Sequence, residues 1–245
     1  MRKSKKNFRI ISLVILISSL IFLPLYSCSQ SKAEQLEGKN FTIVTMEKNK
    51  PVTAGIEHAQ FMDGKFMNKE CGRWGFTEGS YTAKTKDDLT TFESTLLSPN
   101  EGKMTFIGTV QGGKIEGTFI WSKEGQADIN YEFISGEQLP QESAQLNGNS
   151  ILIKYDDGTG EKEEIITFNN GMLESPACYE WGFKPSPYSA WIDGDKIKFE
   201  STTLSEKEGK MHFVGSIRGG EVNGTEHWTK EGQKDISYAF TGWVK

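Results

Sequence analysis

Asp128-Ile129-Asn130-Tyr131-Glu132-Phe133 decides the fold. Its apolar residues fall at every second position, with Asp128, Asn130 and Glu132 between them. This is the two-residue period of a strand that lays one face on a core. The same beat returns as Asp235-Ile236-Ser237-Tyr238-Ala239-Phe240, 107 residues further on. Outward from these two strands the offset of 107 holds without a gap from Phe61 to Phe133, and 34 of those 73 positions are identical. Cys71-Gly-Arg-Trp74-Gly75-Phe76 repeats as Cys178-Tyr-Glu-Trp181-Gly182-Phe183, and Phe92-Glu-Ser-Thr as Phe199-Glu-Ser-Thr. Glu101-Gly-Lys-Met104 repeats as Glu208-Gly-Lys-Met211, and Trp121-Ser-Lys-Glu-Gly-Gln126 as Trp228-Thr-Lys-Glu-Gly-Gln233. The chain is a tandem duplication.

Within the first copy, strand-like runs fall near 41–46, 56–61, 65–70, 79–84, 89–97, 103–110, 114–121 and 128–134. Turn signals such as Asp63-Gly64 and Gly112-Gly113 separate them, and no helical period interrupts. Eight consecutive short strands predict an all-β antiparallel meander in each copy, closed as an eight-stranded up-and-down barrel; two sheets packed face to face are the alternative. Closure removes the edge strands that invite aggregation. The expected organisation is a leader over 1–27, a tether over 28–35, barrels over 36–136 and 146–245, and a polar linker over 137–145.

The leader carries Arg2, Lys3, Lys5, Lys6 and Arg9, then an apolar run from Ile10 to Leu25. It ends in Leu25-Tyr26-Ser27-Cys28, which resembles the lipobox of bacterial lipoproteins. The resemblance implies cleavage before Cys28 and a lipid on its sulfur, so the body is expected to sit on a membrane as its first partner without spanning it. Ser29 in place of Asp implies, by the same resemblance, the outer membrane if the cell is Gram-negative, with the body on its periplasmic or surface face. Residues 28–245 keep 23 basic against 33 acidic residues, a net charge of −10. That balance argues against a nucleic-acid partner and against adhesion to anionic lipid through the protein surface.

In such a meander, connections after even-numbered strands share one end, and here they are tight, at 62–64, 85–88 and 111–113. Connections after odd-numbered strands share the other end and read as longer, at 47–55, 71–78 and 98–102. This plan resembles the lipocalin-type (calycin) barrel, with one closed end and one looped mouth. The resemblance implies a small apolar or lipid-like ligand in one or both barrels. The alternative partner is an envelope protein bound at the shared rim.

Trp74, Phe76, Lys103 and their equivalents Trp181, Phe183 and Lys210 gather at the looped end and are the candidate ligand-binding residues. The competing reading makes the rings core plugs, because small eight-stranded barrels are readily filled by their own side chains. Glu226 stands where the first copy has Phe119. If its face is inward it selects a cationic or hydroxylated ligand; otherwise it is a solvated rim charge. For Cys71 and Cys178 a disulfide, two separately buried thiols and thiolate ligation stay open. The paired carboxylates Glu93/Glu200 and Asp128/Asp235 suit strand faces and turns better than glycosidase chemistry. His58, His212 and His227 face Ile165, Thr105 and Ile120 in the other copy, so no histidine-based catalytic set is shared. No metal-ligand spacing or cofactor motif is present, and the expectation is a non-catalytic binding protein without cofactor or metal.

Overall fold

The computed structural model describes residues 36–245. Two closed antiparallel barrels of eight strands follow one another, as the period-two pattern predicts. The first contains β1 (Asn40–Glu47), β2 (Lys50–Met62), β3 (Lys65–Asn68), β4 (Gly79–Lys86), β5 (Leu89–Ser98), β6 (Gly102–Gln111), β7 (Lys114–Ser122) and β8 (Ile129–Ser135). The second contains β9 (Asn149–Asp156), β10 (Glu161–Asn169), β11 (Met172–Glu174), β12 (Ser186–Asp193), β13 (Lys196–Ser205), β14 (Gly209–Arg218), β15 (Glu221–Thr229) and β16 (Ile236–Val244). Each strand pairs with the next in sequence. Closure comes from β1 on β8, with Thr45 opposite Phe133, and from β9 on β16, with Tyr155 opposite Phe240.

Apolar side chains alternate inward, the reverse of a membrane-spanning barrel, whose apolar residues face out. Phe61, Phe66 and Phe106 are fully buried in the first barrel and Phe168, Phe199 and Phe213 in the second. Ring centroids of Phe61 and Phe66 lie 5.0 Å apart, and those of Phe66 and Phe106 4.9 Å, within the range where aromatic pairs attract. Leu36 and Leu146 are fully buried at the start of the two barrels, next to the tight-turn end. Phenylalanines therefore fill the middle of each barrel.

The first connection differs from its expected span of 47–55. It is a two-residue turn, Lys48-Asn49, with Asn49 in the left-handed region (φ 63°), and β2 already begins at Lys50. The missed strand start is covered on its outer face. Val52 and Ala54 are buried although they point away from their own barrel, and with Val44 they join the core of the second barrel together with Leu139 and Leu146. Covering both faces removes the polar/apolar alternation by which a strand is recognised. Both barrels belong to one compact unit. The β14–β15 turn reaches across to β2, where Gly219 donates its N–H to the Ala54 carbonyl at 3.2 Å. A Cβ on Gly55 would sit 3.1 Å from the Gly219 Cα, so this approach depends on glycine.

Candidate functional site

The Cys-x-x-Trp-Gly-Phe motif forms a short 3-10 turn, Lys69–Trp74, that folds over the looped end of the first barrel. Gly75 ends it in the left-handed region (φ 75°), and Gly182 does the same after Pro176–Trp181 (φ 79°). A serine fastens each turn from β5 or β13: Ser98 donates to the Trp74 carbonyl at 2.9 Å, and Ser205 to that of Trp181 at 2.7 Å. Phe76 and Phe183 are buried core residues, whereas Trp74 (39% exposed) and Trp181 (57%) stay on the rim. The two candidate roles thus divide between the two rings of the motif.

Cys71 and Cys178 are both free thiols, which corrects the disulfide alternative. Each is buried in the core of its own barrel, and the Cys71 Sγ lies 3.5 Å from the Met104 Sδ. Burial pushes both thiols up, Cys178 to about 12.

The other shared motifs build the rim. Trp121 Nε1 donates to the Glu101 carbonyl at 2.6 Å while Lys123 pairs with the Glu101 carboxylate at 2.8 Å. Trp228, Lys230 and Glu208 repeat this clasp at 2.6 and 2.9 Å. Lys103 and Lys210 sit one residue before the inward-facing Met104 and Met211, so they point outward and are exposed. Neither enters a barrel mouth.

Behind the first turn lies a cavity of about 380 Å³, large enough for a small molecule. Phe119, Trp121, Tyr131, Trp74 and Met104 supply its apolar wall, and Glu57 on β2 supplies a carboxylate at depth. Asn68 donates to Glu57 at 2.5 Å. Burial raises the Glu57 carboxyl, against the hydrogen bonds from Asn68 and Thr45, which lower it. Burial, with the charges of Glu47 and Glu57, pushes the Tyr131 phenol up to about 12. The second barrel closes one side of the cavity with Gly219, Gly220 and Trp243. Trp243 lies 5.6 Å from Trp74, ring to ring. Arg73 stands 5.1 Å over the Trp74 ring and pairs with Glu221 of β15 at 2.9 Å.

Glu57 escaped the sequence reading, although one signal was present. Glu57 and Glu164 sit 107 apart, just upstream of the aligned stretch, on the inward parity of Ala59 and Phe61. In the second barrel Glu164 is 5% exposed and accepts a short hydrogen bond from Ser175. Glu226 is 3% exposed, which settles its face as inward. Burial, with a smaller push from the charge of Glu164, raises its carboxyl to about 8. Cys28 lies outside the described residues.

No known protein family matches the chain, and no curated protein does. Among solved structures it is similar to one from Bacteroides fragilis that carries a provisional outer-membrane assignment. Identity there is 10% and the TM-score 0.31, over 87% of this chain and 99% of that one. It is also similar to a Nostoc punctiforme protein of unknown function from the DUF3598 family. Identity is 6% and the TM-score 0.22, over 89% and 99% of the two chains. At such scores the site has to be read from its own residues.

Proposed function

We propose that this protein is a lipid-anchored binding protein of the cell envelope, whose first barrel holds a small, largely apolar ligand. The observation that carries the reading is the cavity: about 380 Å³, walled largely by aromatic rings, with the Glu57 carboxylate beside Glu47, Glu70, Glu101 and the Arg73 guanidinium in its lining. Rings supply affinity for an apolar body. Glu57, with Asn68 already donating to it, offers a remaining acceptor to a ligand hydroxyl or amine. Binding without turnover is the proposed mode. His212 and His227 face outward beside Glu200 and Asp235, and His58 is an exposed side chain paired with Glu70 of the cavity lining, so none of the three pairs with Glu57. Membrane attachment through Cys28, and an outer-membrane address, rest on the lipobox resemblance and are proposed with it.

Native mass spectrometry of the two-barrel protein tests for a retained ligand. A titration with the uncharged fluorophore N-phenyl-1-naphthylamine tests the cavity itself. Thr45 lines the cavity, so Thr45→Tyr places a ring in it and should abolish probe binding, with circular dichroism showing that the variant has folded. Undiminished binding in this variant would place the ligand elsewhere.

One further observation favours a second reading, a protein-contact role. Ile107 is more than half exposed and Ile134 half exposed beside an outer groove of the first barrel that Gly108 and Gly117 also line. Loss of partner capture on Ile107→Lys, with probe binding intact, would support that role.

A further inference from the structure

The looped end of the second barrel is built from the equivalents of the residues that line the first cavity, and two of the differences move charge in one direction. Arg73 becomes Glu180, and Phe119 becomes Glu226. Glu226 reaches the barrel interior from β15, between Phe213 of β14 and Tyr238 of β16. Its Oε1 is buried and has no hydrogen-bond partner. Glu164 comes in from β10, and the Tyr155 and Tyr238 rings lie 5.8 Å apart beside the pair. Among the described residues no lysine, arginine or histidine forms an ion pair with Glu164, Glu180 or Glu226. A buried carboxylate needs a compensating charge or a proton, and among the described residues no basic side chain pairs with these.

We propose that the mouth of the second barrel is a site for a small organic cation, a primary ammonium held by Glu226 and Glu164 with its apolar part against the rim. Carboxylates together with aromatic faces are the groups that hold ammonium ions in water-poor sites. Trp181 and Tyr179 leave exposed rings at the entrance, and Glu180 adds a negative charge there in place of the first barrel's arginine. The site is separate from the first cavity, whose lining includes none of these residues.

A proton competes for the same carboxylates, so affinity rises with pH. The titratable groups that face Glu226 are Glu164 of β10, Tyr155 of β9, Tyr238 of β16, and Cys178 with Glu180 on the turn. Burial keeps Cys178 and Tyr155 protonated, at about 12 each.

Calorimetric titration of the full chain with 2-phenylethylammonium, beside the neutral isostere 2-phenylethanol, tests the proposal. The amine should bind at least tenfold more tightly than the alcohol and should tighten from pH 6 to pH 8.5. Glu226→Gln and Glu164→Gln should each weaken the amine at least tenfold and leave the alcohol unchanged. Equal binding of amine and alcohol, no amine binding, or amine binding that survives both substitutions would overturn it. Circular dichroism of each variant shows whether it has folded. Either variant alone suffices to locate the site.

Discussion

Replacing Glu226 by Gln should make the protein more stable in mild alkali and leave it unchanged in mild acid. In the folded barrel the Glu226 carboxyl is raised to about 8, chiefly by burial, against 4.5 for the free side chain. Between these two values the folded state holds a proton that the unfolded chain has released. Stability therefore falls as pH rises through that window and levels off above about 8. Each pH unit is worth ~1.4 kcal/mol, so the full window amounts to about 5 kcal/mol at most. Glu164 and Glu57 are raised in the same direction, so the wild type should lose stability over this range from more than one group. The difference between wild type and Glu226→Gln isolates the single site, because the amide has the shape of the protonated acid and no charge. Urea unfolding in phosphate buffer, free of amines, at pH 5, 6.5 and 8.5 measures it. The curves should nearly coincide at pH 5, and the variant should lead by several kcal/mol at pH 8.5. A gap that is constant with pH, or one that grows towards acid, would show that Glu226 titrates as an ordinary solvated carboxylate.

Three other outcomes follow from the geometry. Phe106→Ala and Phe213→Ala, at fully buried positions, should each cost ~3–5 kcal/mol in chemical denaturation. Ser98→Ala and Ser205→Ala remove the hydroxyls that hold the Trp74 and Trp181 carbonyls; each should cost about 1 kcal/mol and make the rim tryptophan emission shift to the red. Cys71 and Cys178, buried and protonated, should react slowly with iodoacetamide at pH 8 in the native protein and rapidly in denaturant, and intact mass under non-reducing conditions should show both as thiols.

Period-two runs such as Ile129, Tyr131 and Phe133 carried the barrel, because a strand with one wet face writes its burial directly into the sequence. The start of β2 did not show this way. Val52 and Ala54 face the other barrel, and a contact between domains has no period of its own. The shared polar motifs form a frame at the looped end. Glu101 and Lys123 hold each other and Trp121, and Lys103 points to solvent. Identity between copies marks what both barrels need, and both need a rim. Inward parity was the better guide to the site, since it singles out Glu57, Glu164 and Glu226 as carboxylates among phenylalanines.

The pattern of difference between the copies then becomes informative. Ser98/Ser205, Glu101/Glu208, Trp121/Trp228 and Lys123/Lys230 are identical and make the same bonds. Several positions that meet the cavity are not: Thr45 against Tyr155, Arg73 against Glu180, Phe119 against Glu226. A charge placed inside a barrel costs stability unless something answers it. Glu57 is answered by Asn68, Thr45 and the nearby positive charge of Arg73, whereas Glu226 has neither a hydrogen bond at Oε1 nor a basic neighbour among its perturbing charges. In the first barrel Phe119 shares its cavity with the small Thr45, and in the second Glu226 stands by the larger Tyr155. The carboxylate makes physical sense as a group that waits for a charge from outside, and on that argument the two barrels share a scaffold and differ in what they are built to hold.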